Sequence, residues 1–376
     1  MNLSFKILIG FFVVALLLIA SAFVYIKKSS SIDDLVVNET DSINKKIVLA
    51  KLWLNKLQKD KKFNGAVLLI KNDKVILKET YGFTDNTKKI ALTNNSSFRL
   101  ASVSKQFTAA GIMLLKEQGK LNFDDSITKY LPQLSYNTVT IRNLLNHTSG
   151  VPDIYMNFES KYKKEIDKFL SISKMVDLLA KENKPLTSKP NEKYRYNNTG
   201  YVLLAAIVES ISKKSFEDFM QEELFSKLKM KNTRVWNLAS KDSTFKNKTS
   251  SFEYILGKPY PLEPSILDGV AGDGGVFSSI NDFVIWNQFW HQNEFLSKET
   301  MHEAFKEPIL NDDSISDYGF GWIITKNKAM WHNGSWLGAR TMIIRNPQLK
   351  NCLVILDNSS SKNIDKIAEK LVQVFK

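Results

Sequence analysis

The sequence predicts an α+β fold: an antiparallel sheet, built from both chain ends and flanked by N- and C-terminal helices, with an inserted all-helical lobe. Three observations lead there. Two strand-like runs, GAVLLI and VILKETYG, flank the hairpin signal Asn72-Asp73 early in the chain. Apolar residues at helical spacing fill the middle of the chain, and after Tyr318 short β-rich runs return before a final amphipathic stretch.

Taken in order, the elements divide the chain into residues 1–28, a membrane anchor or signal segment; 29–45, a polar tether; and 46–376, a folded domain. Ile7 to Ile26 contains no charged residue and as a helix would be about 30 Å long, enough to cross a bilayer. Its length favours an uncleaved anchor over a signal peptide, although Ala20-Ser21-Ala22 offers a cleavage-like site. Lys6 precedes the segment while Lys27 and Lys28 follow it, so the flanking charges do not assign an outward-facing C-terminal domain. KKSSSIDDLVVNETDSINKK reads as the tether. Within the domain the sheet lobe is expected over about 46–100 and 316–376, and the helical lobe over about 101–315. GYVLLAAIVESIS, SFEDFMQEELFSKL and SSINDFVIWNQFW supply helices, then GFGWIITKN, AMWHNG, ARTMIIRN and NCLVILDN supply strands. In the closing SKNIDKIAEKLVQVFK, Ile364, Ile367, Ala368, Leu371, Val372 and Phe375 form one helical stripe. The junction of the lobes is the natural place for a cleft.

Composition narrows the function classes. The formal charge of +13 would suit an anionic partner, but the lysines alternate with Asp, Glu and Asn, as in KYKKEIDKF. That pattern describes a solvated surface rather than a nucleic-acid footprint. The single cysteine, Cys352, excludes an internal disulfide and falls in an apolar strand. The four histidines show no HExxH or similar spacing, so neither a metal nor a cofactor is expected.

One stretch offers chemistry. In RLASVSKQFTAAG, Arg99 to Gly111, residues three apart share a helical face, so Ser102 can stand beside Lys105 while Ser104 cannot. Phe107, Ala110, Met113 and Leu114 continue the helical pattern to a stop at Gly119. Ser102 would thus occupy the first turn of a buried helix, where free N–H groups and the helix dipole favour a nucleophile. Alone, the same residues also read as an N-cap serine and a solvated lysine. Tyr196 and Asn198 precede an apolar helix, and His332-Asn333-Gly334 opens an apparent strand. Each of these by itself reads equally as turn chemistry.

Together, FRLASVSKQFTAAG, LLNHTSGVPD, YRYNNTGYVLLAAIVE, AGDGGVFSSINDF, YGFGW and HNG resemble, in this order, the serine β-lactamase and penicillin-binding protein family. The likeness runs from about Lys46 to the C-terminus and is greatest to class C β-lactamases, their DD-peptidase relatives and esterases on the same scaffold. The resemblance implies a β-lactamase-like fold and a serine hydrolase that forms an acyl-enzyme on Ser102, with Lys105 and Tyr196 sharing the proton. It implies that Asn198 holds Lys105 and the substrate amide, and that the N–H groups of Ser102 and Ser335 form the oxyanion hole. Gly334, lacking a Cβ, lets substrate approach the strand edge. His332 stands where many relatives carry lysine, making a substrate-carboxylate contact pH-dependent, and Asn333 replaces the more usual threonine. His147 is expected to shape a loop, while Trp322, Trp331 and Trp336 are candidates for lining the cleft or for the core. The implied substrate is a small molecule or peptide, foremost D-amino-acid peptides or related envelope compounds; the alternatives are a β-lactamase, an esterase or D-aminopeptidase, and a non-catalytic envelope scaffold with the same fold. The implied site of action is the cell envelope, with membrane attachment through the N-terminal segment. Oligomeric state is not legible.

The anchor expectation is tested by fractionation: full-length protein should remain in the membrane pellet through alkaline and high-salt washes. Mature protein beginning near Phe23 would identify a cleaved signal instead.

Overall fold

A computed structural model describes residues 31–85, 87, 89–240 and 245–376. The expected anchor, Ile7 to Ile26, lies outside the described residues, and among those no helix is long and apolar enough to cross a membrane. The main sheet contains β1 (Gly65–Lys71), β2 (Lys74–Tyr81), β3 (Ile323–Ile324), β4 (Met330–Trp336), β5 (Ala339–Asn346) and β6 (Asn351–Asp357). Their spatial order is β3-β4-β5-β6-β1-β2, with every neighbouring pair antiparallel. Pairing β1 with β6, with Ala66 opposite Leu356 and Leu69 opposite Leu353, joins the two ends of the chain.

The runs GAVLLI and NCLVILD are continuously apolar because both faces of the sheet are covered. Ala66, Leu68, Ile70, Cys352, Val354 and Leu356 face the main core, while Val67, Leu69, Leu353 and Ile355 face a second one. The β1–β2 turn places Asn72 and Asp73 at φ 51° and 62°, the conformation a two-residue hairpin requires and these side chains tolerate. The HNG segment, by contrast, lies within β4; the β4–β5 turn is made by Leu337 and Gly338.

Five helices position the rest: α1 (Ile43–Lys59), α2 (Lys105–Glu117), α3 (Asn198–Ser212), α4 (Ile280–Phe289) and α5 (Ile364–Val372). Helices α1 and α5 cover the second core, with Trp53, Leu54, Leu57, Ile364, Ile367 and Leu371 turned inward. Helix α1 begins at Ile43, capped by Ser42, and the preceding chain already packs on the domain, with Leu35 buried and Asp33 O accepting from Trp53 Nε1. The folded part therefore begins before the boundary expected at Lys46. Helices α2 and α3 carry long runs of buried residues and pack in the main core.

The inserted lobe is not purely helical. Phe98–Arg99, Val276–Ser278 and Arg234–Val235 form a three-stranded sheet, and Phe252–Ile255 pairs with Lys258–Pro261. Strands of two to four residues are too short to leave a period in the sequence.

Two-faced burial has a measurable consequence. Leu68 and Leu69 are both fully buried on opposite faces of β1. Leu68→Ala and Leu69→Ala should each cost about 2–5 kcal/mol in denaturant unfolding; tolerance of either would mean that one face is open.

Candidate active site

The Ser102 segment is shaped by three local features. Leu100 N–H bonds to Val276 O at 2.9 Å, tying the chain to the small sheet. Ala101 then takes φ +50°, which for a residue with a Cβ costs about 1–2 kcal/mol. Ala101–Ser104 forms a 3-10 turn, and the α-helix starts only at Lys105. Ser102 thus sits one turn ahead of the helix rather than in its first turn, and the tighter winding brings residues i and i+3 into line. Ser102 is partly exposed and lines a cleft. Ser104 is fully buried, and its Oγ accepts from Val276 N–H at 3.1 Å.

Lys105 is fully buried, and its Nζ donates to three oxygens: Ser102 Oγ at 3.2 Å, Asn198 Oδ1 at 2.9 Å and Asp273 O at 2.9 Å. Three acceptors satisfy all three N–H bonds of an ammonium that has left water. Asn198 is positioned by the cap of α3, where Asn197 Oδ1 accepts from Gly200 N–H at 2.7 Å. Tyr196, two residues earlier and half-buried, lays its ring 4.8 Å from Lys105 Nζ. Ser102, Lys105, Tyr196 and Asn198 therefore come together.

The strand β4 closes the site. Along it His332 and Gly334 face the main core, while Asn333 and Ser335 are exposed on the alternate side. A Cβ at Gly334 would lie 2.3 Å from Leu100 O and 2.4 Å from Thr341 Oγ1, so only glycine lets β4 approach the nucleophile turn. Ser335 lines the cleft beside Ser102. Since β3 pairs only with Met330 and Trp331, no described strand covers the outer edge of β4 beyond them.

His332 does not meet the expectation of a protonatable carboxylate anchor. It is buried, its Nε2 lies 2.9 Å from Tyr318 Oη, and its Nδ1 lies 2.6 Å from Asn333 O. A carbonyl can only accept, so Nδ1 carries the proton and Nε2 accepts from the tyrosine, a fully bonded neutral imidazole. Burial, reinforced by the Lys105 charge, pushes its pKa down to about 3.

Several contributors escaped sequence reasoning. Asp273, in AGDGG, supplies a carbonyl to Lys105 while its carboxylate accepts from Tyr155 Oη at 2.6 Å and lines the cleft. Burial raises the Asp273 pKa against the opposing pull of Lys105. Arg99 forms a buried ion pair with Asp268 at 2.7 Å, and Trp336 Nε1 donates to the same carboxylate oxygen at 2.9 Å. Of the tryptophans singled out, Trp336 lines the cleft, Trp322 is in the main core and Trp331 packs on the second core. Trp236 also lines the cleft, with the Arg99 guanidinium 5.5 Å from its ring. Asp273 lies in AGDGGVFSSINDF, one of the motifs that carry the family resemblance, but nothing in that motif assigned it a contact with Lys105; the Arg99–Asp268 pair, far apart in sequence, left no signal.

Comparison with known proteins bears on the family and the fold. The beta-lactamase family model matches residues 52–373. Penicillin-binding protein 4* of Bacillus subtilis is 37% identical over 309 residues, 79% of this chain and 68% of that protein. Protein flp of Staphylococcus aureus is 26% identical over 84% of this chain and 63% of its own length. The chain thus spans about two thirds of these curated relatives. The octameric penicillin-binding protein homologue from Pyrococcus abyssi superposes with a TM-score of 0.73 at 24% identity, covering 86% of this chain and 76% of that one.

The two serines can be separated by labelling. Ser102→Ala should abolish covalent modification by a fluorescent penicillin or a fluorophosphonate. Ser104→Ala should lose about 1 kcal/mol of stability with its buried hydrogen bond but still be labelled. Loss of labelling in a folded Ser104→Ala protein alone would reverse the assignment.

Proposed function

The chain belongs to the beta-lactamase family and is a serine hydrolase, and from that premise we propose that it cleaves an amide or ester through an acyl-enzyme on Ser102. The observation that carries the reading is Lys105, buried and bonded at once to Ser102 Oγ, Asn198 Oδ1 and Asp273 O. A serine hydroxyl is a weak nucleophile until a neighbouring base takes its proton. While Lys105 is an ammonium donating to Ser102 Oγ, the serine proton is free to pass to Tyr196 as phenolate. With Lys105 as free amine, the Ser102 contact reverses and the amine accepts. We assign the base to this pair.

In the first step Ser102 Oγ bonds to the substrate carbonyl carbon, and its proton passes to the pair. The oxyanion is held by the N–H groups of Ser102 and Ser335. The carbon–leaving-group bond then breaks as the pair returns the proton to the departing amine or alcohol. Water repeats the sequence on the acyl-enzyme and regenerates Ser102. Asn198 keeps Lys105 in place and offers its amide N–H to the substrate.

The substrates we infer are D-amino-acid peptides or related acyl compounds of the cell envelope. The penicillin-binding name of the 37% identical relative supports this and an envelope location outside the cytoplasm, and the length of the apolar segment Ile7 to Ile26 suits membrane attachment. The neutral imidazole of His332 favours a second reading, an esterase or amidase whose substrate needs no carboxylate. A panel containing a D-Ala-D-Ala peptide, a cephalosporin and a short-chain ester discriminates these, and absence of labelling by both penicillin and fluorophosphonate would favour a non-catalytic scaffold.

A pH prediction follows from His332. Because its pKa lies near 3, the imidazole is neutral from pH 5.5 to 8 and lends no charge to binding there. KM for a carboxylate-bearing substrate and for a neutral ester should therefore follow the same pH profile. A KM that rises through about pH 6.5 for the charged substrate alone would restore an imidazolium anchor.

A further inference from the structure

We propose that His147 is a positioning residue for Tyr196, holding the peptide on both sides of that tyrosine; this rests on the reading of Tyr196 as part of the base. The His147 carbonyl accepts from Arg195 N–H at 2.8 Å, and its Nδ1 accepts from Asn197 N–H at 3.1 Å. One residue thus grips the chain immediately before and immediately after Tyr196. The imidazole also packs against the tyrosine itself, with ring centroids 4.4 Å apart. To present both groups the backbone of His147 takes φ +58°, a left-handed conformation that is uncommon for residues with a Cβ and that histidine tolerates better than most.

The rest of LLNHTSGVPD extends the same grip. Thr148 O accepts from Asn191 N–H at 2.9 Å, and Gly150 O accepts from Thr187 N–H at 2.7 Å. Gly150 has φ +69°, and a Cβ there would lie 2.0 Å from Ser188 O. Beyond Tyr196, Val151 O accepts from Asn197 Nδ2, and Asp153 Oδ1 accepts from Thr199 N–H at 2.8 Å. The motif is a strip against which the segment leading into α3 is laid, and His147 is the part of it that touches Tyr196.

The role requires a neutral ring, because Nδ1 must keep its lone pair. With Nδ1 accepting, the ring proton resides on Nε2. Burial, together with the charge on Lys105, holds the His147 pKa well below its ordinary value, so the acceptor persists across the working pH range. The positive end of the chemistry, Lys105, thereby helps to maintain the clamp on its partner Tyr196.

An amide series separates this clamp from general packing. In His147→Asn, the side-chain oxygen can occupy the Nδ1 position, and asparagine tolerates positive φ. In His147→Gln the amide reaches the Nε2 position and leaves Asn197 N–H without its acceptor. The second-order rate of fluorophosphonate labelling of Ser102 should fall on the order of 10²-fold in His147→Gln, the scale expected when a catalytic group is misplaced by about 1 Å. His147→Asn should retain most of the wild-type rate, with kcat rather than KM carrying the loss in the glutamine variant on a turned-over ester. Thermal unfolding of both variants is followed in parallel. Equal rates in the two variants, whether both high or both low, overturn the clamp. Tyr196→Phe in the same assay tests the underlying reading: a wild-type rate there removes Tyr196 from the base, whereas a slow Tyr196→Phe beside a fast His147→Gln refutes the clamp alone.

Discussion

A buried ammonium is the constraint on which this architecture depends. Removed from water, a lysine nitrogen costs several kcal/mol unless each N–H finds an oxygen. Lys105 finds them on the nucleophile turn, at the start of α3 and on the AGDGG loop. The last two lie 93 and 168 residues along the chain from Lys105, so three parts of the chain must be correct together. Each is fixed by its own device: positive φ at Ala101, the Asn197 cap, and Gly272 at φ +112°. A Cβ on Gly272 would lie 2.4 Å from Tyr201 O, and its carbonyl accepts from Thr108 Oγ1 at 2.7 Å. The loop is thereby pressed between α2 and α3 with the next carbonyl, that of Asp273, turned to Lys105.

The sheet supplies the rigid wall for that arrangement. Burial on both faces makes β6 and β1 its most enclosed pair, so β4, separated from β1 by β5 and β6, is held in register by a packed ladder. Gly334 converts that rigidity into proximity, since no side chain stands between the strand and Leu100 O. Thr341, opposite Gly334 on β5, donates its hydroxyl to the same carbonyl at 2.7 Å. The sheet and the nucleophile turn are thus joined by a hydrogen bond as well as by contact.

Much of this was legible in the sequence. The six main strands follow from apolar runs punctuated by turn residues, and α5 from its stripe, because both signals are local. Ser102 and Lys105 were legible because their spacing can put them on one face and the ordered motifs around them resemble those of a known family; the spacing alone fitted an N-cap serine as well. The short strands of the inserted lobe and the early start of the folded domain were not legible, since strands of two to four residues have no period and Leu35-Val36-Val37 is a brief apolar run in a polar stretch. The Arg99–Asp268 pair and the Tyr318–His332 contact are products of tertiary folding, with no partner signal nearby in the chain. His332 is the instructive case: its residue type suggested a switch near neutral pH, but titration depends on surroundings, and those include Lys105.

The Lys105 charge reaches both buried histidines. It disfavours protonation of His147 and of His332. Burial acts on both imidazoles in the same direction as the lysine. With both rings neutral, one positive charge is concentrated where the Ser102 proton must be managed, and each ring keeps a nitrogen lone pair for a hydrogen bond: His332 Nε2 for Tyr318 and His147 Nδ1 for Asn197. A lysine at position 332 would place a second ammonium in this enclosure, whereas histidine lets the strand contribute a hydrogen-bonded support. The choice of histidine therefore alters how the site distributes charge as well as what the strand can offer a substrate.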